Sequence, residues 1–112
     1  MSDVVVIGSI NMDLVVKTDE IPKIGETLLG RELIQVPGGK GANQGVAISK
    51  LGKKVSFIGK VGNDMFGDML VSSLKAANVD TSRIEKENCN SGIAVINVDK
   101  DGNNNIVVIP GA

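Results

Sequence analysis

An α/β fold with a small β flap set off from its main sheet is what this sequence predicts, and three observations carry that expectation. Val4-Val5-Val6-Ile7 and Val55-Ser56-Phe57-Ile58 are short, apolar, β-branched runs of the kind used by parallel core strands. Between them lies a single amphipathic helical stretch that opens on glycines. Four more β-prone runs, over 14–17, 28–36, 93–98 and 106–109, fall outside any β-α-β succession and supply the flap.

Val4 to Ile7 reads as a core strand covered on both faces. Gly8-Ser9 breaks it and places Asn11 and Asp13 just past its carboxyl end, the edge at which open α/β sheets bind ligands. On extended chain these two residues project to the same side. A carboxylate only accepts hydrogen bonds while an amide donates and accepts, so the pair can bracket vicinal hydroxyls. The same short side chains can equally cap a turn, and the residues alone leave both readings standing.

Leu14-Val15-Val16 continues extended, Asp19 to Gly25 with Pro22 reads as a turn, and Leu28 to Val36 is a second extended stretch. Then comes Pro37-Gly38-Gly39-Lys40-Gly41-Ala42-Asn43-Gln44-Gly45, a glycine-rich turn that feeds a helix. Ala42, Val46, Ala47, Ile48 and Leu51 recur at helical spacing until Gly52. Free N–H groups at that helix start suit an oxygen-rich or anionic ligand, with Lys40 and Asn43 one step along. Close helix–strand packing would demand the same glycines. Two familiar nucleotide cradles are excluded. Lys40 is followed by Gly41 rather than the Ser/Thr of a phosphate loop, and no Gly-x-Gly-x-x-Gly follows the first strand.

Val55 to Ile58 makes the second core strand, and Gly62-Asn63-Asp64 turns into a helix capped by Asn63 or Asp64 and ending near Asn78. Met65, Phe66, Met69, Leu70 and Leu74 are expected on its buried face, which makes the methionines core filler rather than a cofactor box. Thr81 to Asn90 is polar and offers little chemistry. Ile93 to Val98 and Ile106 to Ile109 flank the turn Asp99-Lys100-Asp101-Gly102 and predict a hairpin with a solvated tip. That turn lacks the remaining ligands of a calcium loop. Apolar residues alternate onto both faces of the hairpin, so one face suits a ligand while the other meets the first flap segment or another subunit.

Composition narrows the classes. A chain of 112 residues that is 42% hydrophobic builds one modest core. A net charge of −1 with two aromatics, Phe57 and Phe66, argues against nucleic acid as partner. The lone Cys89 makes no internal disulfide, and the absence of histidine removes an imidazole base and a zinc constellation. With no apolar run of membrane-spanning length, the expectation is a cytoplasmic protein without membrane attachment.

Taken together, Gly8-Ser9-Ile10-Asn11-Met12-Asp13, Pro22-x-x-Gly25-Glu26-Thr27, Gly38-Gly39-Lys40-Gly41-Ala42-Asn43-Gln44 and Gly59-x-x-Gly62-x-Asp64-x-x-Gly67 resemble the ribokinase-like carbohydrate kinase family. The resemblance runs in family order over essentially the whole chain. It implies the N-terminal part of a three-layer α/β fold, residues 1–112, with flap strands within 12–36 and 92–109 acting as a lid. It further implies that Asn11 and Asp13 bind ribose hydroxyls, that Gly39, Lys40 and Asn43 line the same sugar, and that Ala94, Ile96 and Val108 give it an apolar surface. The activity implied is transfer of the γ-phosphoryl of ATP to the 5-hydroxyl of D-ribose, with Mg²⁺ and a monovalent cation such as K⁺. A homodimer through the β flap is implied as well.

The second family signature, Asp-Thr-x-Gly-Ala-Gly-Asp, with its catalytic base and anion hole, does not occur before Ala112. This chain is therefore expected to hold no catalytic, nucleotide or metal residue and to be inactive alone. Two alternatives remain: a sibling kinase for a nucleoside or another sugar, and a non-catalytic carbohydrate-binding or dimerisation module.

Overall fold

The computed structural model describes residues 2–112. In chain order the elements are β1 (Val4–Ile7), β2 (Asn11–Lys17), β3 (Glu32–Gly38), α1 (Lys40–Lys50), β4 (Val55–Gly62), α2 (Met65–Ala76), β5 (Val79–Glu87), β6 (Gly92–Val98) and β7 (Asn104–Ile109). They form two sheets, a core sheet of order β1-β4-β5 and a flap sheet of order β3-β2-β6-β7. β1 and β4 pair in parallel with Val4 opposite Val55 and Ile7 opposite Ile58, so the two apolar runs are neighbours as their composition predicts.

The core lies between the core sheet and both helices. Val6, Val55, Phe57 and Val61 from the strands meet Leu70 and Leu74 of α2, with Ala42 of α1 and Met12 of β2 closing the cluster. Both crossovers step the same way across the sheet, from β1 to β4 to β5, and right-handed connections then put both helices on one face. On the other face Ser56 is buried and Ile58 half-buried, but Val5 and Ile7 are exposed. Ile7 is 76% exposed, so β1 is buried on one side only and not on both as its apolar run suggests.

Three further expectations are corrected here. Met65 is 78% exposed, and Met69 is exposed too. The buried stripe of α2 is Gly67, Leu70 and Leu74; residues 65 and 69 are four apart from each other, but at 100° per residue they point away from that stripe. On α1 the buried positions are Gly41, Ala42 and Gly45, while Ala47 and Leu51 face outward. The polar segment 81–90 supplies most of β5, which hides Val79 and half-hides Thr81 and Ile84 against charged neighbours, the spacing slipping from two to three where its register with β4 shifts. No helix among the described residues is long and apolar enough to cross a membrane.

In the flap sheet, β2 pairs antiparallel with β3 and parallel with β6, and β6 pairs antiparallel with β7. The hairpin therefore joins the first flap segment edge to edge rather than face to face. Its strands reach one residue before and two residues beyond the 12–36 span, from Asn11 to Gly38. The extended stretch starts at Glu32, not at Leu28. β2 ends at Lys17, whose carbonyl receives the N–H of Arg31 at 2.7 Å, so residues 28–30 lie past its end and have no partner strand to pair with.

Core and flap are tied at the start of α2. Asp64, the N-cap, accepts hydrogen bonds at Oδ1 from the Gly67 N–H at 2.8 Å and the Ser91 hydroxyl at 2.7 Å, and at Oδ2 from the Ser91 N–H at 2.9 Å. The Ser91 Oγ in turn accepts from the Gly62 N–H at 2.9 Å. Burial pushes the Asp64 carboxyl up, but the hydrogen bonds from Ser91 and Gly67 outweigh it and hold the group below the usual carboxylate range.

Candidate functional site

Strand register assembles a row of side chains on one face of the flap. Partners directly opposite share a face, and residues two apart repeat it. Asp13 stands between Val36 and Ala94, and Ala94 stands opposite Val108. One row outward, Val15 lies between Ile34 and Ile96, with Ile106 beyond. One row inward, Asn11 lies between Gly38 and Gly92. Asn11, Asp13, Ala94, Ile96 and Val108 therefore occupy a single face, polar at the root and apolar toward the tip.

At the root, Asn11 Nδ2 donates to Asp13 Oδ1 at 2.7 Å. Asn11 orients the carboxylate, and neither side chain caps a turn, because both belong to β2. Space for this arrangement comes from Gly38: a Cβ there would lie 2.7 Å from Asp13 Oδ2 and 2.9 Å from Cγ. Gly38 is a site residue that the pattern did not single out from its glycine neighbours. Its signal is the pairing opposite Asn11, which needs the register of β3 and is invisible without it.

The glycine stretch serves packing and site together. Gly39 has φ 102° and turns the chain from β3 into α1. At the next approach a Cβ on Gly41 would stand 2.8 Å from the Gly8 Cα, so the helix start rests directly on the end of β1. The Ala42 N–H donates to the Ser9 carbonyl at 3.1 Å. Unlike α2, α1 has no side-chain N-cap and no acidic residue in its first turn. With the Ala42 N–H taken by Ser9, the N–H groups of Lys40 and Gly41 are left at the start of the helix, a favourable place for oxygen-rich or anionic groups.

Lys40 and Asn43 sit in this first turn and are exposed. Among the described residues no hydrogen bond joins either side chain to the Asn11–Asp13 pair. Asn43 borders a 30 Å³ crevice with Pro37, Gly38 and Ala42, on the side of α1 toward α2. Asn11 and Val108 instead border a larger cleft of 310 Å³ at the carboxyl end of β1, together with Gly8, Ser9, Lys60 and Gly92. That volume is at the lower end for small-molecule sites, about 300–1,000 Å³. The structure thus brings Asn11, Asp13, Ala94, Ile96 and Val108 onto one face with Gly39 at its root, and sets Lys40 and Asn43 along the helix beside it.

Comparison with known proteins bears on this geometry. The pfkB family carbohydrate kinase model matches residues 1–112. The chain is 50% identical over 113 residues to the ribokinase of Bacillus subtilis (strain 168), covering 100% of this chain and 38% of that protein. It is similar in structure to the ribokinase of Thermotoga maritima, with TM-score 0.92 and 38% identity over 100% of this chain and 37% of that one. Arabidopsis thaliana ribokinase, solved in complex with ribose and ATP, matches with TM-score 0.90 and 33% identity over 99% of this chain and 36% of that one. These likenesses establish the ribokinase-like three-layer α/β fold. The chain spans 38% of the length of the Bacillus relative.

The contact beneath the carboxylate yields a measurable coupling. Gly38→Ala should destabilise the chain by about 1–3 kcal/mol in urea denaturation, because the new methyl displaces the Asp13 carboxylate and its bond from Asn11. In an Asp13→Ala background that cost should shrink by about 1 kcal/mol or more. Strict additivity of the two substitutions would contradict the contact.

Proposed function

This chain belongs to the pfkB family of carbohydrate kinases, and we propose that it is the acceptor-binding N-terminal part of a ribokinase, which transfers the γ-phosphoryl of ATP to the 5-hydroxyl of D-ribose. The observation that carries this reading is the hydrogen-bonded Asn11–Asp13 pair at the root of an otherwise apolar flap face. Asp13 Oδ1 is occupied by Asn11, which leaves Oδ2 to accept a sugar hydroxyl. The Asn11 amide oxygen accepts another, and the amides at Gly39 and the start of α1 face the sugar's oxygens. Ala94, Ile96 and Val108 cover its carbon face, and Lys40 and Asn43 close in from the helix.

In this role the chain orients the acceptor hydroxyl and keeps water from competing with it. The remaining chemistry needs a base, the nucleotide and its cations. Among the described residues no three acidic or thiol side chains gather where they could hold a metal ion, and Asp13, Asp64, Asp80 and Asp99 are each turned onto local N–H or O–H donors. ATP, Mg²⁺ and K⁺ are accordingly assigned to the part of the enzyme outside these residues, and the 112-residue chain alone should transfer no phosphoryl group.

We propose further that two flaps pair. Val107 and Val108 alternate onto opposite faces of β7, and each is 63% exposed. A sugar covers the Val108 face, which leaves the Val107 face, with Leu33 and Ile109, for a second copy.

Two measurements test these readings. In an enzyme of the relatives' full length carrying this segment, Asp13→Asn should weaken ribose binding about ten- to a hundredfold by calorimetry and leave nucleotide binding unchanged. Unchanged ribose affinity would refute the assignment. For the flap pair, Val107→Glu should convert a dimer to monomer in sedimentation velocity, whereas a wild-type chain that is monomeric at high micromolar concentration would rule pairing out.

A further inference from the structure

The polypeptide passes between core and flap three times, over residues 8–10, 38–39 and 88–91. The first two crossings are held against each other by the Gly8–Gly41 approach and the Ala42–Ser9 hydrogen bond. The third leads into β6; Gly62 packs against its backbone, where a Cβ would collide with the Ser91 nitrogen, and the Asp64 carboxylate supplies the side-chain tie. Asp64, on the core, takes both the N–H and the hydroxyl of Ser91, and Ser91 takes the N–H of Gly62 at the end of β4. The residue after Ser91 is Gly92, which stands opposite Asn11, and Ala94 stands opposite Asp13.

We propose that Asp64 is a positioning residue that seats β6 on the core and so sets the flap face against Asn11 and Asp13. An N-cap alone requires one oxygen accepting from Gly67. The second oxygen and the paired Ser91 contacts exceed that requirement, and all of them point to the flap. A carboxylate is needed because three donors converge on it; an amide would turn an N–H toward one of them. The consequence for ribose rests on the reading of the flap face given above, but the seating itself does not.

Asp64→Ser separates the two roles, since serine caps a helix about as well as aspartate yet is too short to hold Ser91 as well. Native-state hydrogen exchange of the 112-residue chain is the measurement. In Asp64→Ser, the Gly67 amide and the amides joining β1 to β4 should keep their protection, while amides of β6 and β7 should exchange about ten- to a hundredfold faster. Asp64→Asn should show the same pattern. Ser91→Ala removes only the hydroxyl contacts and should reproduce it more weakly, which keeps the test open if an Asp64 variant fails to fold.

Uniform acceleration across core and flap, or unchanged protection in β6 and β7, would overturn the proposal. Ribose titrated into the same variants separates the two readings. Faster flap exchange with unaltered ribose affinity would break the link between seating and site. A wild-type chain that ignores ribose counts against the sugar reading alone, because exchange still reports the seating.

Discussion

The structure depends on one backbone-to-backbone contact, that of Gly8 at the end of β1 with Gly41 in the first turn of α1. Any side chain at either position would meet main-chain atoms of the other at less than 3 Å, so strand and helix close on each other only because both residues lack one. That contact fixes where α1 begins. Gly38 and Gly39 lie immediately before it, so it also fixes where β3 ends and which residue of β3 faces Asn11. The polar root of the flap face is therefore a product of core packing: Gly8 and Gly41 make the helix–strand seat, and Gly38, in the same glycine stretch as Gly41, makes the space around the Asp13 carboxylate.

From this seat the two sheets take opposite roles. The core sheet buries Val6, Phe57 and Val61 beneath two helices and leaves Val5 and Ile7 exposed on its other side. The flap sheet sends Met12 and Leu14 down toward that core at its root, while its outer strands carry apolar groups on both sides. A flap held by three short crossings can shift as a unit against the core, provided each crossing is pinned. All three carry close backbone contacts, and the third adds the Asp64 carboxylate, which takes both the N–H and the hydroxyl of Ser91.

Much of this was legible in the residues. β-branched runs marked β1 and β4, and their parallel pairing followed from the single helix between them. The period-two spacing of Asn11 and Asp13 put them on one side, and the Asp-Gly turn marked the β6–β7 hairpin. What the residues did not show depends on partners distant in sequence. β5 was missed because it hides Val79 and half-hides Thr81 and Ile84 at broken period-two spacing among charges, a pattern that becomes a strand only beside β4. The start of β3 was misplaced because strand length is set by β2, not by the apolar character of Leu28 and Leu29. Met65 and Met69 were misread because spacings of four fit two sides of α2 equally well. Gly38 was hidden among its neighbours because its task is defined by the residue opposite.

The central claim is that the flap face rooted in Asn11 and Asp13 is the one that meets the sugar. Titration of the isotope-labelled chain with ribose, followed by amide chemical shifts, addresses it directly. The account predicts saturable shifts at Asn11, Asp13, Gly38, Gly39 and Ala94, with Leu33, Ile93 and Val107 on the opposite face unmoved. Shifts confined to that opposite face, or none at any ribose concentration, would contradict it.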